Sequence, residues 1–413
     1  MKNGLARLWK KIGPGFITGA SDDDPSGIAT YTQAGAAFGV STLWVAWFTL
    51  PLMIGIQEMC ARIGLVQKKG LVSVIRKYYP RWMLYMLLAL SFPAITLNIG
   101  ANIAAIGAVG NMLQPRLDPN LISLVFIILL MWMMIHFSYK KIAAVLKWMG
   151  LVLLVYLFVP FLFQQDLRFI IKNTLVPHFE LTQKFIATIV GLLGTTISPY
   201  LFFWQASMEQ EEIRHKKVVV DKQLLSDMNT DVKTGMIFSN LIMYFIILTA
   251  ATVFYPNGIR NIETVKDAAM ALYPLAGNGA FLLFSLGIIG TGLLAIPVLA
   301  GSVSYMMAET FRWKEGLDKK FHQAKGFYIT MIASLLIGFF VNFVGISPVK
   351  ALLYTAVIYG MIAPVLILMI LHICNSRKIM GEFVNSRKQN AWGVACLALM
   401  TVSAGTLLYL LLD

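Results

Sequence analysis

The stretch Asp22-Asp23-Asp24-Pro25-Ser26-Gly27 lies inside the first long apolar segment of the chain and decides how that segment folds. Proline lacks an amide hydrogen and its ring clashes with the preceding turn, so one regular helix cannot run through Pro25. A carboxylate at bilayer depth is expensive and persists mainly where it binds something or lines a pathway. Carbonyls freed by a helix break are tolerated at that depth only around a protein-lined or wet cavity. Acidic side chains beside freed carbonyls in one broken helix are what a cation site needs, and they point to transport.

The rest of the chain reads as membrane protein. Of its 413 residues, 58% are apolar and 13% charged, with a mean hydropathy of +0.72; a soluble domain carries about 25% charged residues. At about 20 residues per span, apolar segments fall near 13–38, 42–63, 82–112, 120–138, 142–163, 184–208, 231–255, 278–310, 327–346, 349–374 and 390–412. An all-α polytopic protein is predicted, with a single transmembrane domain of eleven helices over 13–412 behind a basic segment, 1–12. The net charge is +14, but the basic residues sit in short loops, which implies lipid headgroups rather than nucleic acid as their partners. Lys and Arg concentrate in 1–12, 62–81, 209–233, 311–326 and 375–389. This places the N-terminus in the cytoplasm and the C-terminus outside an inner (plasma) membrane. Cys60, Cys374 and Cys396 lack metal-ligand spacing, and the 22 methionines spread along apolar faces as core filler. No nucleophile–base constellation is present, so the chain is not expected to be an enzyme, to need a cofactor or to have an obligatory protein partner.

A second break is written into segment six, at Gly194-Thr195-Thr196-Ile197-Ser198-Pro199-Tyr200. Segments one and six are five spans apart and so run in opposite directions. Interrupted segments at matching positions of two halves point to an inverted-repeat transporter with its site at the midplane. Pro51, Pro93, Pro160, Pro297 and Pro364 are expected only to kink their helices.

Several motifs carry a family likeness. Gly13-Pro14-Gly15-Phe16, Asp24-Pro25, Gln33-Ala34-Gly35-Ala36 and Phe38-Gly39 resemble the opening of the NRAMP divalent-metal transporters. Ala61-Arg62-Ile63-Gly64-Leu65-Val66, Leu299-Ala300-Gly301 and Met380-Gly381-Glu382-Phe383-Val384-Asn385 extend it over about 12–390. The resemblance implies a LeuT-like fold: segments 1–5 (about 13–163) and 6–10 (about 184–374) as inverted repeats, plus an extra helix at about 390–412. It also implies Asp24 as the central carboxylate ligand, the carbonyls of Ser21 and Thr195 as further donors, and Ser198 beside the ion. Asp22 is a further candidate ligand. The family's Asp-Pro-Gly-Asn becomes Asp24-Pro25-Ser26-Gly27, so Gly27 stands where an asparagine ligand is expected. Its Met-Pro-His becomes Ser198-Pro199-Tyr200. Its acids on segment three are missing, since 82–112 contains no Asp or Glu.

Thioether sulfur favours softer divalent ions, whereas carboxylate, carbonyl and water suit hard ones. Magnesium sheds its water reluctantly and is usually held through one or two carboxylates. An oxygen-only site widened at Gly27 therefore resembles that of the NRAMP-related magnesium transporters, with Mn(II) also expected to pass. Asp23, Tyr200, Gln205 and Asn98 are pathway candidates. Asp23 reads equally as a wet wall or helix-end cap, Gln205 as an interhelical hydrogen bond, and Asn98 with Asn102 as helix packing or pore lining. Tyr200 cannot take a proton near neutrality, and none of the five histidines lies near the broken helices, so movement without proton coupling is expected. The alternatives are a proton-coupled Mn(II)/Fe(II) transporter and an organic-cation or amino-acid carrier on the same fold. Elsewhere, Glu58 is expected to pair with Arg62 and Glu309 with Arg312; Asp231 and Asn240 read as caps or gate residues of segment seven.

Overall fold

Prolines and short polar side chains set where the helices begin. The computed structural model describes residues 13–137, 151–163, 166–216 and 220–412. The first segment forms two helices, α1 (Pro14–Asp22) and α2 (Pro25–Phe38), each opening on a proline whose missing amide costs nothing in the first turn. Gly39, at φ 59°, ends α2 in a backbone conformation that residues with a Cβ rarely adopt. Then come α3 (Trp44–Gln67), the short amphipathic α4 (Leu71–Tyr78), α5 (Arg81–Leu113) and α6 (Pro119–His136), the last capped by the Asp118 carboxylate. After the short α7 (Leu167–Leu175), segment six forms α8 (Gln183–Thr196) and α9 (Pro199–Lys216). The chain continues through α10 (Lys222–Val253), α11 (Ala280–Phe311), α12 (Lys325–Val341), α13 (Pro348–Asn375) and α14 (Arg387–Leu412).

Nine helical stretches among the described residues are long and apolar enough to cross a bilayer. The protein is a multi-pass membrane protein. Pro51, Pro93, Pro297 and Pro364 lie within continuous helices. The fifth segment departs from expectation: its described part forms two 3-10 helices, Leu151–Leu157 and Val159–Leu162, rather than α-helix. Pro160 sits in the first turn of the second, where no donor is lost. Residues 142–150, expected to start that span, lie outside the described residues, as do the basic segment 1–12 and Lys217 in the basic stretch 209–233.

Segment seven (α10) runs along α1 and α2 of segment one, while segment two (α3) runs along α9 of segment six. Between them, α5 packs on α11 and α13, and α8 on α13. The α1–α10 crossing is close enough that a Cβ at Gly19 would come within 2.3 Å of the Gly235 backbone. In α6 and α14 only 22% of the apolar window is buried, against 89% across α8 and α9. The first pair faces lipid and the second forms the centre.

Polar anchors tie these helices together, and neither of the two local pairings expected is the one found. Glu58 meets Lys233 of α10 at 3.5 Å rather than Arg62. Arg62 instead donates to Gln389 at 2.9 Å and to Asn385. Glu309 takes the Ser73 amide (2.7 Å) and the Ser207 hydroxyl (2.9 Å) rather than Arg312, because α4 folds beneath the end of α11. Asp231 caps a helix other than its own: it accepts from the amides of Gly13 (2.8 Å), Gly15 (2.7 Å) and Phe16 (3.2 Å) at the start of α1. Asn240 accepts from Thr49 (3.1 Å) and links α10 to α3.

Candidate metal centre

The three aspartates are buried, at 1%, 0% and 1% exposure, yet they occupy two different helix ends. A residue before proline is pushed toward extended backbone, and Asp24 is found there, at φ −71° and ψ 170°. This makes it the N-cap of α2. Its Oδ1 accepts from the Gly27 amide at 2.8 Å and from the Ser26 hydroxyl at 2.7 Å. Its Oδ2 accepts from Asn98 at 3.1 Å and Asn102 at 2.9 Å, both on α5. Four donors thus surround one carboxylate, at the helix end whose free amides favour negative charge.

Asp22 and Asp23 sit at the other end of the break, where α1 stops. The Ser239 hydroxyl of α10 lies within hydrogen-bond reach of both, 3.0 Å from Asp22 Oδ2 and 3.3 Å from Asp23 Oδ1. Among the described residues, Asp22 Oδ1 and Asp23 Oδ2 have no hydrogen-bond partner. No ammonium or guanidinium is among the partners of the three carboxylates within the described residues. A helix C-terminus carries partial negative charge, so this end of the break concentrates negative charge without a described counterion.

Segment six breaks in the same way. Helix α8 ends at Thr196, Ile197 turns at φ −111° and ψ 57°, and α9 starts at Pro199. The Ser198 hydroxyl turns back onto α8, 2.5 Å from the Thr195 carbonyl and 3.0 Å from that of Gly194. It also lies beside Asp22. Tyr200 donates to the Ser21 carbonyl at 3.0 Å and so ties the second break to the first.

The structure therefore gathers Ser21, Asp22, Asp23, Asp24, Gly27, Asn98, Thr195, Ser198 and Tyr200 around the paired breaks. Gln205 lies farther along α9, bridging Thr18 (2.5 Å) and Glu209 (2.9 Å). It makes an interhelical bond on α1. Sequence reasoning left out Ser239 and Tyr31, and it left Asn102 open between helix packing and pore lining. The available signals were the Ser239-Asn240 polar pair inside apolar α10 and the placement of Tyr31 one turn after Gly27. Among the described residues no three His, Cys, Asp or Glu side chains converge as a metal-ligand group. Any ion held here would rely on one or two carboxylates plus carbonyl, hydroxyl and water oxygens.

A family model described as natural resistance-associated macrophage protein-like matches residues 15–410. Among solved structures, the manganese transporter of Eremococcus coleocola, in complex with an aromatic bis-isothiourea substituted compound, superposes with a TM-score of 0.75. The two are 17% identical, over 97% of this chain and 86% of that one. MhsT in complex with L-phenylalanine superposes at 0.64, with 13% identity over 96% and 97% of the chains. Mhp1, a nucleobase-cation-symport-1 family transporter, does so at 0.52, with 13% identity over 96% and 92%. At such identities these structures share the LeuT-like fold and nothing finer. The family model, matching almost from end to end, carries more: the chain belongs to the natural resistance-associated macrophage protein (Nramp) family.

Proposed function

We propose that this chain carries hard divalent cations, Mg(II) and with it Mn(II), across the plasma membrane by alternating access and without proton coupling. The observation that carries this reading is the donor set at the breaks. It offers the Asp22 and Asp24 carboxylates, the Ser21 and Thr195 carbonyls and the Ser198 hydroxyl. Such oxygens suit ions that keep part of their hydration. Manganese enters through the E. coleocola transporter of similar fold, which is a manganese transporter by name.

The fold neighbours that hold L-phenylalanine or bromovinylhydantoin keep an organic substrate in view. A carboxylate-bearing substrate would meet three acids here and be repelled, so the amino-acid reading is disfavoured. Against a proton-coupled mechanism stand the amides of Asn98 and Asn102, which contact Asp24 from the segment where the family's resemblance leads one to expect acids. An amide donor relays no proton. Two positive charges moving inward across about 100 mV gain about 4.6 kcal/mol, which suffices for accumulation. With the N-terminus cytoplasmic, opening inward would free α1 from Asp231, from Gln205 and from Tyr200 together.

The test is uptake into proteoliposomes under an imposed potential, with Mg(II), Mn(II) and Ca(II) compared and lumenal pH followed by a dye. Mg(II) and Mn(II) should enter and compete, with no accompanying proton flux. Uptake of Mn(II) that is indifferent to excess Mg(II), or that acidifies the lumen, would defeat the reading.

A further inference from the structure

We propose that the recess between the end of α5, the start of α6 and the link from α12 to α13 is a binding site for one phospholipid with an anionic headgroup. It lies at the end of α5 farthest from the basic stretch 62–81, which with the N-terminus cytoplasmic is the outer leaflet. The site is independent of which ion the protein carries. Among the described residues, none from segments one or six lines it, so it is not a path to the metal centre.

The recess has a volume of about 630 Å³, within the range of sites that enclose a whole small molecule. Much of its lining is apolar, including Ala104, Ala108 and Met112 of α5, Phe281 and Ile346. Two donors stand out against that lining. Lys266 is exposed, with its ammonium 5.9 Å from the centre of the Phe281 ring. Asn342 lines the recess, and its buried Nδ2 has no hydrogen-bond partner among the described residues. A buried donor without a partner calls for an acceptor. No carboxylate lines the recess among the described residues, and Lys266 is the charged residue that does. Of the acids adjacent to lining residues, Asp118 accepts from the amides of Asn120 (2.9 Å) and Leu121 (3.1 Å). Asp267 accepts from the Thr264 amide (2.9 Å), and Glu263 is exposed. The acceptor that fits is therefore an anionic oxygen.

The surroundings favour a lipid over a free anion. The recess adjoins apolar surface that no other helix covers: Leu121, Leu124 and Val125 of lipid-facing α6, and Phe343 and Val344 of the link. Basic pockets between membrane helices hold anionic headgroups, and the apolar lining beside this one suits the rest of the lipid. The site also has a mechanical connection. Thr264, Val265 and Lys266 follow directly on a stretch of the same loop that holds both broken segments. Gln33 of α2 donates to the Arg260 carbonyl at 3.0 Å and accepts from the Ile262 amide at 2.8 Å. Lys184 of α8 donates to Asn261 Oδ1 at 2.8 Å. A lipid held at Lys266 steadies the loop to which α2 and α8 are tied.

Binding and its footprint are measured on the purified full-length protein. Native mass spectrometry should show phosphatidylglycerol retained in preference to phosphatidylcholine. Its affinity should fall about tenfold in Lys266→Glu and stay within about threefold of wild type in Lys266→Arg. Added phosphatidylglycerol should slow hydrogen exchange over 260–266 and 342–346 in wild type and Lys266→Arg, but not in Lys266→Glu. Ala108→Trp, which fills the recess from α5, should weaken binding independently, with thermal unfolding as the check on its fold. Lys266 is exposed, so its variants keep the fold whatever befalls Ala108→Trp. Equal retention of phosphatidylcholine, unchanged affinity in Lys266→Glu, or protection confined to basic stretches such as 62–81 and 375–389 would overturn the site. Displacement of the lipid by inorganic phosphate would make the ligand a free anion and overturn it as well.

Discussion

At the first break Asp23 turns at φ −80° and ψ 50°, and a helix starts at Pro25; at the second, Ile197 turns at φ −111° and ψ 57°, and a helix starts at Pro199. The backbone device is nearly the same, and a proline at the first helical position accounts for it in both places. The residue between turn and proline makes the difference. Asp24 reaches forward to cap α2 and sideways to α5, whereas Ser198 reaches back to the carbonyls of α8. The negative charge therefore resides on segment one, and segment six contributes neutral oxygens. In the proposed reading, two breaks with one backbone plan divide the work, the first attracting the cation and the second supplying neutral oxygens.

If the backbone device is held in place by close helix crossings, the largest effects should come from blocking them. A Cβ at Gly19 would meet the Gly235 carbonyl at 2.3 Å, and one at Gly194 would meet the Ala356 carbonyl at 2.0 Å. Both obstacles are backbone and cannot swing aside. Gly19→Val and Gly194→Val should each cost about 3 kcal/mol, read as a large fall in Tm in detergent. An unchanged Tm at either site would show that the two breaks are not clamped alike. Next comes the forward-reaching cap. Asp24→Ala removes an N-cap and strands the amides of Asn98 and Asn102, so a loss of about 2 kcal/mol is expected. The same measurement on Ser198→Ala should give less than about 1 kcal/mol, because only carbonyls already at a helix end lose a donor. Equal losses would erase the distinction between the two caps.

Both breaks were legible in the sequence because proline and glycine act locally, and their effect needs no knowledge of neighbours. The same holds for Asp24, whose position before Pro25 makes it a cap whatever surrounds it. What stayed hidden depended on tertiary packing. Glu58 and Arg62 are one turn apart and look like a pair, but α10 brings Lys233 to Glu58, and the loop after α13 brings Asn385 to Arg62. Ser239 is one serine among many until α10 lies along α1 and sets its hydroxyl between two acids. Asn102 read as packing or pore lining, and only the packing of α5 against the break shows it as a hydrogen-bond donor to Asp24. The fifth segment had the composition of a helix but takes 3-10 turns in its described part, and composition alone does not separate the two.

The finest difference between the breaks is one of donor chemistry. Ser198 stands where the family resemblance leads one to expect a methionine, and its oxygen lies beside Asp22. A thioether there would add a soft donor that Mn(II) accepts and Mg(II) does not. It would also take up space that the hydrated ion needs, since methionine is longer and displaces water. Ser198→Met should therefore shift the ratio of Mn(II) to Mg(II) affinity by about tenfold toward manganese, a change of about 1.4 kcal/mol, with Ca(II) falling alongside Mg(II). Competition titrations on the purified variant would measure the ratio directly, free of any effect on transport rate. The control is Ser198→Ala, which removes the hydroxyl without adding sulfur and should leave the ratio within about threefold of wild type. If alanine moves the ratio as far as methionine does, selectivity belongs to the lost hydroxyl and the space around it. The charge on segment one would then govern both attraction and choice, and the division of work between the two halves would fail.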